Sequence, residues 1–151
     1  MAQASDQALK LLADDQEDLA VISAMLQDAV TTIGDIVYEP APRQVTLAFN
    51  RFRWEAGAVK RGGERVRSAL QFGGVLSVKS QRLRQDAKEG VLSLLDVAFE
   101  PGEAPGGVIT LTFAGGGALQ IEVECIDAVL ADLSAPWSTP RRPSHEESES
   151  Q

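Results

Sequence analysis

The chain has 151 residues, 44% of them apolar, and a formal net charge of −8. That length suits one ordinary domain, which buries roughly 70% of the surface its unfolded chain exposes and stands without disulfide or metal support. The acidic balance argues against general affinity for nucleic acid or anionic membrane. No run approaches the roughly 18 apolar residues of a membrane span. The opening MAQASDQALK lacks the basic and apolar regions of a secretory signal. Cys125 is the only cysteine, so no internal disulfide forms, and the expected setting is a reducing cytoplasm.

In chain order, the first signal is an apolar stretch from Leu9 to Leu12, followed by a helix start. Asp14 is the expected N-cap, with Glu17 as its capping-box partner. Leu19, Ile22, Met25 or Leu26, and Ala29 recur at spacings of three and four, which predicts a helix from about Asp15 to Ala29. The period then changes to two. IGDIVYEPAPRQVTLAF reads as two strands around Pro40 and Pro42, with Val45, Leu47 and Phe49 on one face. Phe52 and Trp54 carry the apolar pattern onto even numbers. That slip predicts a bulge or break near Asn50 and Arg51.

GAVKRGGE is a polar connection, and RVRSALQF and VLSVKSQRL are strands separated by a tight turn or kink at Gly73-Gly74. RQDAKEG is a loop. VLSLLDVAFE is a strand of mixed phase, as expected of a segment buried on both faces along part of its length. PGEAPGG is a breaker, and VITLTF and ALQIEVECI flank the triplet Gly115-Gly116-Gly117. A phosphate-binding loop needs a helix after its glycines to supply amide donors and a positive dipole end. A strand follows here, so the triplet is read as a hairpin turn, where glycine reaches positive φ without steric cost. Cys125 continues the Leu119, Ile121, Val123 series and is expected in the core. Asp127 is expected to cap a short helix with Val129, Leu130 and Leu133 on its buried side. Residues 1–134 thus form one globular domain. Residues 135–151, rich in Pro, Ser and charge, read as a largely disordered polar tail in which Trp137 alone is large enough to dock.

Little of this carries chemistry. The only histidine, His145, lies in the tail, which excludes Ser-His and Cys-His catalytic arrangements and a structural zinc site. Asp14 with Asp15, and Glu122 with Glu124, are paired carboxylates, and nothing raises them above a solvated face. The charge is uneven. Residues 43–88 hold eleven Lys/Arg against three acids, whereas residues 1–42 hold one against eight and residues 89–151 two against eleven. Arg51, Arg53 and Trp54, with Arg65, Arg67, Lys79, Arg82 and Arg84, would make an anion- or partner-binding face if their strands pair. The plainer reading puts Phe52 and Trp54 in the core, the arginines on the outer side of the sheet, and acids from the two ends around them.

Three stretches also carry a family resemblance: LKLLADDQEDLAVISAMLQDAV, NRFRWE, and LSLLDVAFEPGEAP with ITLTFAGGGALQIEVECIDAVLADL and the later PW. Together they resemble a family of short uncharacterised bacterial proteins known only as a domain of unknown function. The likeness spans nearly all of residues 8–137 and implies a single-domain layout, with no catalytic or binding residue to transfer.

The expected fold is α+β. It is a single antiparallel, strongly bent sheet of six to eight strands, or a partly open barrel, with an N-terminal helix and a short C-terminal helix. A meander ending in a helix favours a pleckstrin-homology-like arrangement. An open sheet with both helices on one face is the alternative. The expected function is a non-catalytic binding or adaptor domain, with no cofactor, metal, membrane or nucleic acid and with room for a protein partner or a homo-oligomer. The alternatives are a nucleic-acid or phosphate-ligand binder acting through the 43–88 block, and an enzyme using carboxylates or arginines.

Overall fold

The computed structural model describes residues 8–56 and 63–139. Among them are eleven strands and one α-helix: β1 (Lys10–Ala13), α1 (Gln16–Met25), β2 (Val30–Thr32), β3 (Ile36–Glu39), β4 (Gln44–Phe52), β5 (Glu64–Phe72), β6 (Val75–Gln81), β7 (Val91–Pro101), β8 (Gly107–Phe113), β9 (Ala118–Val123), β10 (Ala128–Asp132) and β11 (Trp137–Ser138). Two 3₁₀ turns, Ile33–Asp35 and Trp54–Ala56, interrupt the strands. All strand pairs are antiparallel, in the order β1-β10-β5-β4-β2-β7-β8-β9-β6, with β3 also beside β4 and β11 also beside β5. The path ends at β1 and β6 without closing. No helix among the described residues is long and apolar enough to cross a membrane.

Alternation builds the core. Val45, Leu47 and Phe49 of β4, Leu70 and Phe72 of β5, Ile109, Leu111 and Phe113 of β8, and Leu119, Ile121 and Val123 of β9 all point inward and are buried. Leu19, Ile22 and Leu26 of the helix segment complete this single cluster. The helix begins one residue later than expected, with Asp15 as the cap: its Oδ1 accepts from the Asp18 backbone N–H at 2.8 Å. It also ends earlier, at Met25. Asp28 then takes a left-handed conformation, φ 63°, and donates its N–H to Leu94 O, while Leu94 donates to Ala29 O.

Those two bonds fall at a register shift in β7 between Leu94 and Asp96. β7 pairs with β2 over residues 91–93 and with β8 from Leu94 onward, so the shift lies at the start of the β8 ladder. The mixed phase of VLSLLDVAFE therefore comes from a bulge and not from burial on both faces. Leu95 is left exposed, while Leu94 and Val97 point inward. The bulge expected at Asn50-Arg51 is absent, because the β4–β5 register runs unbroken from Val45↔Phe72 to Phe52↔Arg65. Arg51 simply takes the next inward position after Phe49, and it is buried.

The expected C-terminal helix is a strand. Ala128 and Leu130 alternate inward, and β10 sits between β1 and β5, with Leu130 opposite both Leu11 and Leu70. The helix that favoured a pleckstrin-homology-like arrangement is thus absent. Cys125 is half-buried, because β9 ends at Val123 and the alternation does not extend to it. Gly73 and Gly74 are a kink that carries the chain from β5 to β6, which do not pair with each other. The glycine triplet is a β8–β9 hairpin turn, with Gly115 and Gly116 at φ 92° and 99°. Gly117 has another reason: a Cβ there would lie 2.6 Å from Leu83 Cδ2. Trp137 docks through the two-residue strand β11 against β5, and Thr139 donates its N–H to Gly63 O, so the segment read as a tail enters the sheet before its end. His145 and most of that segment lie outside the described residues.

Candidate binding site

The basic residues singled out from the sequence do not share one surface. Arg51 and Arg53 are buried, Arg65 and Arg67 are half-buried on β5, and Lys79, Arg82 and Arg84 are exposed on and just after β6. The last group lies at the far end of the sheet path from β5.

Arg51 is held from all sides. Nε donates to Ser68 Oγ at 3.0 Å and Asp132 Oδ1 at 3.1 Å. Nη1 donates to Glu55 Oε1 at 2.9 Å and Phe52 O at 3.4 Å. Nη2 donates to Glu55 Oε2 at 2.8 Å and to both Asp132 oxygens at 3.0 Å. Glu55 can grip both terminal nitrogens because the 3₁₀ turn after β4 folds it back. Asp132 arrives on β10 opposite Ser68, whose hydroxyl donates to it at 2.7 Å. Burial opposes the charge on Arg51, yet the hydrogen bonds and attraction of the two carboxylates outweigh it, and its pKa lies above the ordinary value. Burial likewise opposes the Glu55 charge, and the Arg51 hydrogen bonds prevail, holding that carboxyl below its ordinary value.

Arg53 pairs with Glu64 through Nη1, and its buried Nε stands 3.8 Å from Glu55 Oε2 with no hydrogen-bond partner among the described residues. Phe52 is buried, with its ring centroid 4.6 Å from that of Trp54. The Trp54 indole donates to Gln27 O at 3.3 Å. The Arg65 guanidinium lies 6.0 Å over the Phe52 ring, and burial lowers its pKa. Arg67 bridges Asn50 Oδ1 and Asp35 Oδ2, both at 3.1 Å. Phe52 is therefore interior, as the plainer reading had it, but Arg51 and Arg53 lie inside the sheet and not on its outer side. Sequence alternation missed this because it counts arginine as outward-facing. The available signal was Asp132, an acid on β10, which lies across β5 from β4.

Three of the four paired carboxylates, Asp15, Glu122 and Glu124, have partners of their own. Asp15 caps α1. The carboxylates of Asp14, Asp15 and Asp18 come within 4.8 Å of one another, exposed at the helix start. Glu122 accepts from Ser77 Oγ at 3.0 Å, and Glu124 pairs with Arg43 at 2.9 Å.

A cleft of about 240 Å³ opens between β3 and β6, where the sheet path leaves a seam. Ile36, Val78, Leu83 and Leu119 are among its walls, and Tyr38 and Lys88 also line it. Each wall has a local cause. Ile36 and Tyr38 alternate toward the cleft on β3. Leu83 fits there only because Gly117 has no side chain. Lys88 is placed by its backbone, with Lys88 O accepting from Gly34 N at 2.8 Å and the next turn closed by Ile33 N to Gly90 O at 3.0 Å. Sequence reading took 84–90 as a loop and drew no site from it, since its residues join Ile36 and Leu119 only through the tertiary fold.

The chain matches a family described as "Protein of unknown function (DUF2948)" over residues 9–145. No curated protein and no solved structure matches it. The chain belongs to that family of unknown function.

Proposed function

Starting from that membership, we propose that the chain is a non-catalytic binding domain whose site is the cleft between β3 and β6. The observation that carries this reading is the cleft itself: a concavity at a place where the sheet fails to close, in which the aliphatic side chains of Ile33, Ile36, Val78, Leu83 and Leu119 stand beside Tyr38, Ser80, Gln85 and Lys88, so that apolar contact and hydrogen-bonding groups converge as a ligand site requires. The surroundings of the other candidates support it. The buried arginines face carboxylates already bound to them, and of the acids read as candidate pairs Asp15 caps a helix while Glu122 and Glu124 each meet a neighbouring side chain. A nucleic-acid or phosphate binder would use the exposed cations near β6, and an enzyme would use the acids.

The test is a titration of the ¹⁵N-labelled chain with a mixed set of fragment-sized compounds and a short oligonucleotide. Shifts gathered on residues 33–38, 78–88 and 119 are expected with fragments. Shifts gathered on Lys79, Arg82 and Arg84 or on Arg65 and Arg67 with the oligonucleotide, or on the Asp14–Asp18 acids with fragments, would overturn the reading.

A further inference from the structure

The cleft has one sign of charge. Among the described residues Lys88 is the only charged one in its lining, and no carboxylate of theirs lines it. Lys88 forms no ion pair with any described residue, whereas Arg43, Arg51, Arg53, Arg67 and Arg84 all do. An ammonium beside aliphatic side chains, without a counterion among the described residues, is an arrangement that an incoming anion completes. Two hydroxyls add to it. Tyr38 has no described hydrogen-bond partner. Ser80 Oγ already accepts from Gln85 Nε2 at 2.7 Å, which leaves its own proton to donate.

From this we infer that the cleft binds a small aliphatic monoanion, a carboxylate carrying a short hydrocarbon chain. The carboxylate meets Lys88 and the Tyr38 hydroxyl, and the chain lies along Ile36, Val78, Leu83 and Leu119. Size and charge type set the class. A dry 150 Å³ cavity takes benzene, so about 240 Å³ suits on the order of six to ten heavy atoms. A single ammonium is a point charge suited to one carboxylate, whereas a phosphate monoester would call for more cations or an arginine fork. The inference rests on the proposed function and sharpens it, since it names what the site selects.

Hexanoate, hexanol, hexylamine and acetate, each titrated into the full chain and followed by NMR, test it. Hexanoate is expected to shift Tyr38, Val78, Leu83, Lys88 and Leu119 and to bind at least about tenfold tighter than hexanol, hexylamine or acetate. Lys88→Met, at an exposed position whose melting curve serves as the folding control, should bring hexanoate down to the level of hexanol, while Lys88→Arg should retain most of the preference. Equal binding of hexanol and hexanoate in the cleft, or no effect of Lys88→Met, would refute anion selection and leave the cleft as a binding site. No shift in the cleft with any of the four, and none with the fragment set, would remove both readings.

Discussion

At the residue scale the most consequential position is Arg51. A buried guanidinium without partners would be untenable, and this one has an acceptor at each of its three nitrogens. The network is balanced only as a unit. Removing one member of a buried pair costs about 3–5 kcal/mol, while replacing the whole group with apolar residues of similar size is often neutral or better. Arg51→Met is therefore expected to destabilise by about that amount in urea unfolding, because Asp132 and Glu55 are left facing a methyl-terminated chain. Adding Asp132→Leu and Glu55→Leu should recover much of the loss. A single mutant within about 0.5 kcal/mol of the parent would show that water or a shifted residue takes over the arginine's role. The same network sets a pH dependence. The folded-state pKa of Glu55 lies below its unfolded value. Its contribution is thus present above the unfolded carboxylate pKa of about 4.3 and is lost as pH falls through the folded value. Stability measured between pH 7 and pH 3 should fall at the acid end, and Glu55→Gln should flatten that fall while lowering stability at neutral pH. An unchanged acid slope in Glu55→Gln would assign the effect to other carboxylates.

At the element scale, the C-terminal strands close off one flank of the sheet. β10 lies between β1 and β5, and β11 adds two residues to the same edge of β5 beyond it. A chain ending at Leu133 loses the β11 ladder, the half-covered Trp137 and the Thr139 bond to Gly63, whereas a chain ending at Thr139 keeps all three. The shorter form is expected to be less stable by about 1–2 kcal/mol, on the scale of a few net hydrogen bonds and one partly buried aromatic. Equal melting temperatures would mean that β11 contributes nothing to the fold. Strands with clean alternation were legible before the structure: β4, β5, β8 and β9 stand where period two put them, and so does the hairpin at the glycine triplet. Segments where two periods fit were not. Ala128–Asp132 satisfies a short helix by spacing, and only the gap between β1 and β5 decides for a strand. The stretch after Phe49 read as a phase slip because arginine was counted as polar, whereas the register simply continues to Arg51, a charged interior position. The cap moved by one because Asp14 and Asp15 are chemically equivalent and local geometry alone chooses between them. The cleft was illegible for a different reason: its walls come from residues 33–38, 78–88 and 119, which meet only through the sheet order.

At the scale of the whole molecule, the question is what a basic middle segment does inside an acidic chain. Residues 43–88 hold eleven Lys/Arg against three acids, yet the net charge is −8. Several of those cations are joined to acids from elsewhere in the sequence: Arg51 to Asp132, Arg67 to Asp35, Arg43 to Glu124. Each such pair removes a cation that a phosphate backbone would need. Lys79 and Arg82, which have no ion pair among the described residues, lie on and just after β6, outside the lining of the cleft. At physiological salt the Debye length is about 8 Å, so an approaching polyanion senses mainly the local charges, and at low salt it senses the net −8 as well. Lowering the salt, which strengthens true nucleic-acid binders because counterions released into more dilute salt gain more entropy, should therefore fail to produce binding here. Fluorescence anisotropy with labelled single-stranded DNA and RNA at 50 and 150 mM salt is expected to show no saturable change at either concentration. A micromolar affinity that weakens steeply with salt would instead require a cationic track. Charge reversal at Arg65 and Arg67, against reversal at Lys79, Arg82 and Arg84, would then tell which end of the sheet supplies it.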